Sequence, residues 1–142
     1  MKNTIKIAAA LALVLTMLFC IVSCGEKKTA EGLWATALYT EDTTLGEGAK
    51  TITVEVTAEE KTVVFTVKTD ATTVGEALIG VGLLAGEEGP YGLYIKSVNG
   101  IVADFDVDQT YWAFNIGGEY AMTGVDQTDI IEGTVYQLVR TK

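Results

Sequence analysis

Catalysis needs groups that can move a proton, attack a carbon or hold a metal, and this sequence carries few of them. It has no histidine, and its two cysteines, Cys20 and Cys24, both fall near the N-terminus. Beyond residue 24 a single serine remains, Ser97, so neither a Ser-His nor a Cys-His nucleophile pair can be assembled there. The one tight group of carboxylates is Asp104, Asp106 and Asp108. Its spacing opens like a calcium loop, but the sixth position is Gln109 where that loop needs glycine, and the twelfth is Asn115 where it needs glutamate. Taken instead as a glycosidase-type pair, the aspartates sit on a half-wet strand or loop, with little of the burial that raises one acid above its neighbour. The expectation is a chain that is not an enzyme, with no metal site, no covalently bound cofactor, and three aspartates forming a solvated edge.

Binding surface is the other resource, and it is concentrated in residues 111–125, which hold Tyr111, Trp112, Phe114 and Tyr120, four of the chain's 12 Phe, Trp and Tyr residues. Residues 111–116 predict a β-strand, and Gly117-Gly118 supplies the backbone freedom to fold it back as a hairpin. Rings beside a bare-backbone turn serve either as core or as a ligand platform, and the pattern leaves both readings open. Trp34, isolated near the start of the chain, reads as a core cover that pins that end down.

The N-terminus has Lys2 and Lys6, an apolar run over residues 7–22, then Ser23 and Cys24, the order of regions in a secretory signal. Ile21-Val22-Ser23-Cys24 resembles a bacterial lipobox, in which the cysteine is acylated, with palmitate-type chains, and becomes the new N-terminus. The apolar run is shorter than the roughly 20 residues a bilayer core demands, and no basic cluster follows it. The division expected is therefore a lipoprotein signal peptide over 1–23, lipidated Cys24 with a tether and N-terminal extension over 24–50, and one folded domain over 51–142. The chain's net charge of −9 becomes more negative once Lys2 and Lys6 leave. Such a surface repels phosphate backbones and anionic headgroups, which excludes nucleic acid as a partner and leaves membrane attachment to the N-terminal lipid. The expected place is the bacterial cell envelope, lipid-anchored on the outer side of the cytoplasmic membrane.

The elements that would position the ring-rich segment follow from periodicity. Ile52, Val54 and Val56 alternate with polar residues, as do Val63, Phe65 and Val67, and residues 58–61 join the two runs as a hairpin. Thr73 with Glu76 forms a capping box, after which Val74, Ala77, Leu78, Val81, Leu84 and Ala85 make one helical stripe ending at Gly86. Gly75, Gly80 and Gly82 cost that helix about 1 kcal/mol each, a cost for which a close helix–sheet approach is the expected compensation. They do not make a dinucleotide motif, because they fall inside the helix and no βαβ unit surrounds them. Residues 87–92 read as a loop exposing Tyr91, residues 93–98 as a strand, and Asn99-Gly100 as a type I′ turn. A last strand over 134–141 sets Val135, Gln137 and Val139 on one face. Two strands, a capped helix and more strands make an α+β fold, a β-grasp-like mixed sheet crossed by one helix.

With these residues in view, the chain resembles the transcobalamin-like C-terminal domain family, whose bacterial members carry a domain of unknown function. The resemblance covers roughly residues 51–142. It rests on Thr69-Asp70 ahead of the helix, Gly89-Pro90-Tyr91-Gly92, Val98-Asn99-Gly100, Tyr111-Trp112-Ala113-Phe114, and Gly124-Val125 leading to Ile131-Glu132-Gly133. In vertebrate cobalamin carriers the similar domain is β-grasp-like and caps one face of the corrinoid, while a separate helical domain holds the other. The resemblance implies a surface lipoprotein with a small-ligand-binding domain, with cobalamin or another corrinoid as the ligand. The residues it carries over are Tyr111, Trp112, Phe114, Gly117 and Gly118 at the strand and turn, with Tyr91 on the facing loop. With no histidine to offer cobalt, contact would be by stacking and backbone hydrogen bonds. The alternative is an envelope protein-protein interaction adaptor without a small-molecule site, pairing through an edge strand such as Tyr136-Gln137-Leu138-Val139.

Overall fold

The computed structural model describes residues 32–142. The signal region, Cys24 and residues 25–31 of the tether lie outside the described residues. No helix among the described residues is long and apolar enough to cross a membrane.

The N-terminal extension is part of the packed unit. A 3-10 turn, Gly32–Thr36, sets Trp34 into the core, where its indole N–H donates to the Ala58 carbonyl at 3.0 Å and the Lys61 ammonium lies 4.7 Å from the ring centroid. β1 (Thr43–Leu45) then joins the main sheet, parallel to β3. Trp34 thus covers core as its isolated position near a terminus predicts, and the folded unit extends below residue 51.

β2 (Lys50–Ala58) and β3 (Lys61–Thr69) form an antiparallel hairpin, with Lys50 opposite Thr69 and Ala58 opposite Lys61. Alternation puts Ile52, Val54, Val56, Val63, Phe65 and Val67 on one buried face, as their spacing predicts. α1 (Val74–Gly80) starts at the expected capping box: the Thr73 hydroxyl accepts from the Glu76 amide at 3.3 Å, and the Glu76 carboxylate accepts from the Thr73 amide at 3.4 Å. A cap of this kind is worth about 1 kcal/mol.

The helix ends earlier than its apolar stripe predicts. Gly82, at φ +72°, turns the chain left-handed, and the Gly82 and Leu83 amides return to the carbonyls of Ile79 (3.0 Å) and Leu78 (2.9 Å). That is a Schellman cap, and it places the stop at Gly82 instead of Gly86. Leu84 and Ala85, counted on the helical stripe, open β4 (Leu84–Gly89) instead. The expected loop over 87–92 shrinks accordingly to Pro90 and Tyr91 between β4 and β5 (Gly92–Val98). Gly75 does mark a close approach, against the backbone of Asp126 rather than against the sheet: a Cβ there would stand 3.0 Å from the Asp126 Cα.

Asn99 and Gly100 have φ of 53° and 76°, both positive as a type I′ turn requires, and lead into β6 (Ile101–Val102). The Asn99 side chain is fully buried and clamps the extension: its Oδ1 accepts from the Tyr39 amide at 2.9 Å and its Nδ2 donates to the Tyr39 carbonyl at 2.7 Å.

The three aspartates lie on neither a strand nor a loop. Asp104 caps a single helical turn, α2 (Phe105–Asp108), by accepting from the Asp106 amide at 3.0 Å. β7 (Tyr111–Ile116) and β8 (Glu119–Tyr120) make the predicted hairpin around Gly117-Gly118. A second 3-10 turn, Val125–Gln127, follows before β9 (Val135–Thr141).

The larger sheet runs in the order β1-β3-β2-β9-β7-β8, with β9 parallel to β2 and antiparallel to β7; β4, β5 and β6 form a second sheet. A leading hairpin whose first strand pairs in parallel with the last strand, with a helix sending Val74, Ala77 and Leu78 into the core, is the β-grasp-like α+β arrangement. One expectation fails here. β9 is paired on both sides, so Tyr136-Gln137-Leu138-Val139 is central and offers no edge; Tyr136 and Leu138 are buried while Val135, Gln137 and Val139 share the half-buried face.

Candidate functional site

An open cavity of about 350 Å³ lies between β5, β7 and residues 120–125. Its floor is built by β7. Trp112, 6% exposed, donates its indole N–H to the Ile101 carbonyl at 3.2 Å, and Phe114 stacks on Tyr136 with centroids 6.1 Å apart. Both rings are therefore core and platform at once: one side packs inward while the other lines the cavity. Tyr111, half-buried, lines it as well.

The rim is supplied by residues that are not among the six ligand residues implied by the resemblance. Tyr94 of β5 is 42% exposed, Tyr120 of β8 68%, and Met122 97%. The Lys96 ammonium sits 4.8 Å from the Tyr94 ring centroid and restrains it, since a cation over an aromatic face is attracted by the ring quadrupole. A signal for Tyr94 was present: Leu93 and Ile95 flank it on a strand, so alternation turns the tyrosine away from the core. Tyr120 and Met122 lie inside the ring-rich segment, but their convergence with Tyr94 depends on two sheets meeting.

Three of the six ligand residues implied by the resemblance, Tyr111, Trp112 and Phe114, come together in this cavity. The other three do not. Tyr91 stands at the tip of the β4–β5 turn, 95% exposed, and is not part of the lining. Gly117 and Gly118 form the β7–β8 turn, where added Cβ atoms would meet nothing within 4 Å. Cys24 lies outside the described residues.

Two of the three carboxylates have structural partners, Asp104 at its helix cap and Asp108. Asp108 accepts from the Thr110 hydroxyl, from the Thr110 amide at 3.1 Å, and from the Arg140 guanidinium at 2.7 Å, while the Arg140 Nε donates to the Val102 carbonyl at 3.0 Å. The Thr110 hydroxyl, above all, holds the Asp108 carboxyl below its ordinary value of 3.8; the Thr110 amide and Arg140 act in the same direction and desolvation opposes them. A carboxyl whose pKa is lower folded than unfolded contributes stability above its unfolded pKa, and that contribution is lost as pH falls through the folded value. Carboxyl-carbon NMR titration should therefore find Asp108 titrating below its ordinary value of 3.8. Thr110→Val should raise it more than Arg140→Gln, and a larger effect of the arginine change would contradict the order of causes.

Among the described residues no group of three or more His, Cys, Asp or Glu side chains is placed to hold a metal ion. The described residues form a β-grasp-like domain with an aromatic platform open to one side.

The DUF4430 family, described as a domain of unknown function, matches residues 71–135. Among solved structures, a candidate metal-binding protein from Ruminococcus gnavus ATCC 29149 is 38% identical with a TM-score of 0.63, over 66% of this chain and 98% of that one. Haptocorrin in complex with Cbi is similar in fold, at 20% identity and a TM-score of 0.54, over 66% of this chain and 25% of haptocorrin. No curated protein matches the chain. The chain belongs to one family with the Ruminococcus gnavus protein and carries the DUF4430 domain.

Proposed function

We propose that this protein acts by binding and not by catalysis: an exported lipoprotein, acylated on Cys24 and held on the outer side of the cytoplasmic membrane, whose domain takes up a flat conjugated ligand. A corrinoid is the sharpest version. The observation that carries this reading is the aromatic cavity, with Trp112 and Phe114 as its floor and Tyr94, Tyr120 and Met122 as its rim. Stacking on such rings needs no charged partner and no metal ligand from the protein. Haptocorrin's complex with Cbi supports the corrinoid form at the level of fold alone, with two thirds of this chain matching a quarter of that protein. The metal-binding description of the Ruminococcus gnavus protein finds no matching donor set among the described residues.

A platform open on one side contacts one ligand face, so a contact worth about −4.5 to −7 kcal/mol is expected, a Kd on the order of 10–500 μM. Isothermal titration with cobinamide and cobalamin should give saturable binding in that range. No heat and no quenching of tryptophan fluorescence at millimolar ligand would overturn the corrinoid form.

A further inference from the structure

The outer edge of β4 is open. β4 is the terminal strand of the smaller sheet, pairing with β5 on one side, and its residues from Ala85 to Gly89 are all exposed. No backbone or side-chain hydrogen bond among the described residues reaches that edge from outside the sheet. After the register shift between Ala85 and Gly86 the strand is regular, with Gly86, Glu87, Glu88 and Gly89 opposite Ile95, Tyr94, Leu93 and Gly92. It contains neither proline nor lysine, two residues that commonly guard such edges.

We infer that this edge is a docking strand for an extended peptide segment of another protein that carries lysine or arginine at alternate positions. Main-chain pairing would supply the attachment and side chains the selectivity. The choice of occupant follows from charge. A second copy pairing β4 to β4 would set Glu87 and Glu88 against the same glutamates, and like charges across a strand pair are destabilising. Glu87 and Glu88 project to opposite faces, so a strand with cations at alternate positions meets complementary charge on whichever of these faces its cations share. On one face Glu88, together with Leu93, borders a second open cavity of about 440 Å³ that also presents Glu76, Ile79 and Asp126. The Oδ1 atom of Asp126 is buried there without a hydrogen-bond partner. A residue opposite Glu88 on an added strand projects on this same face, so its aliphatic stem can lie over Ile79 and Leu93 with its cation among the three carboxylates. This inference is independent of the aromatic cavity.

The test uses the full chain, amide NMR and three synthetic peptides: acetyl-KVKVKV-amide, acetyl-EVEVEV-amide, and a KV peptide with proline at its centre. The expected result is that the lysine peptide shifts the amides of Ala85 to Gly89, binds at least tenfold more tightly than the glutamate peptide, and weakens at least tenfold against Glu87→Lys/Glu88→Lys. The proline-interrupted peptide should lose most of the binding. Equal binding of the proline peptide would show charge attraction without strand pairing; shifts confined to other surfaces, equal binding of the glutamate peptide, or no binding of the lysine peptide would each overturn the inference as well.

Discussion

Asn99→Ala should cost about 3 kcal/mol of folding free energy, a large share of the roughly 5–15 kcal/mol that holds a domain together. Two effects add. The side chain is fully buried and satisfies both backbone groups of Tyr39, so its removal leaves an amide and a carbonyl unpaired in a part-buried site. Each such loss costs on the order of 1 kcal/mol or more. The backbone also sits at φ 53°, where alanine is strained by about 1 kcal/mol relative to glycine. Asn99→Gly separates the terms, because it deletes the hydrogen bonds while relieving the strain. It should be less destabilised than Asn99→Ala by about 1 kcal/mol. Thermal unfolding should show the alanine variant melting at least ~10 °C lower than wild type, given several degrees per kcal/mol for a domain of this size. The extension should loosen at the same time, since the Leu38 amide donates to the Asn99 carbonyl at 2.9 Å and Tyr39 packs edge-on against Phe65 with centroids 5.8 Å apart. An unchanged melting temperature would show that the extension is not clamped there.

The second large effect concerns ligand. Tyr94→Ala combined with Tyr120→Ala should weaken cobinamide binding by about 10- to 100-fold, because each stacked ring is worth roughly 0.5–1.5 kcal/mol and each 1.4 kcal/mol is tenfold. Both side chains are substantially exposed and make no core contact that the fold depends on, so melting temperature should move little. Tyr91→Ala is the matched control: that ring is still more exposed but lies outside the cavity, and its removal should leave affinity unchanged. Loss of binding with Tyr91→Ala and retention in the double variant would move the site to the tip of the β4–β5 turn.

Much of the fold was legible because its signals are local. Alternation in residues 51–57 and 62–68 needs only a two-residue period, and the Thr73–Glu76 box and the Asn99-Gly100 turn each follow from side-chain chemistry within four residues. The helix stop was misjudged between two glycines, Gly82 and Gly86. Leu84 and Ala85 fit a helical stripe as well as a strand, and only the closing of the Gly82 and Leu83 amides onto Ile79 and Leu78 decides between them. The position of β9 was invisible for a different reason: a terminal strand pairs with whatever the topology brings beside it, and its sequence does not say whether one or two neighbours will be there. The site divides in the same way. Tyr111, Trp112 and Phe114 are contiguous and announced themselves as rings on one strand. Tyr94 comes from another sheet, and Tyr120 and Met122 reach the cavity only after the Gly117-Gly118 turn has folded β8 back. Tyr91 as a ligand residue is implied by the resemblance alone, and it stands at the tip of the β4–β5 turn, outside the lining of the cavity.

The central claim is that the aromatic cavity is the binding surface, and amide NMR of the full chain titrated with cobinamide tests it most directly. Saturable shifts confined to Tyr94, Tyr111 to Phe114 and residues 120–125 are predicted, with β1 and β3 on the far side of the sheet unmoved. Shifts that cluster elsewhere, or none at millimolar ligand, would contradict it.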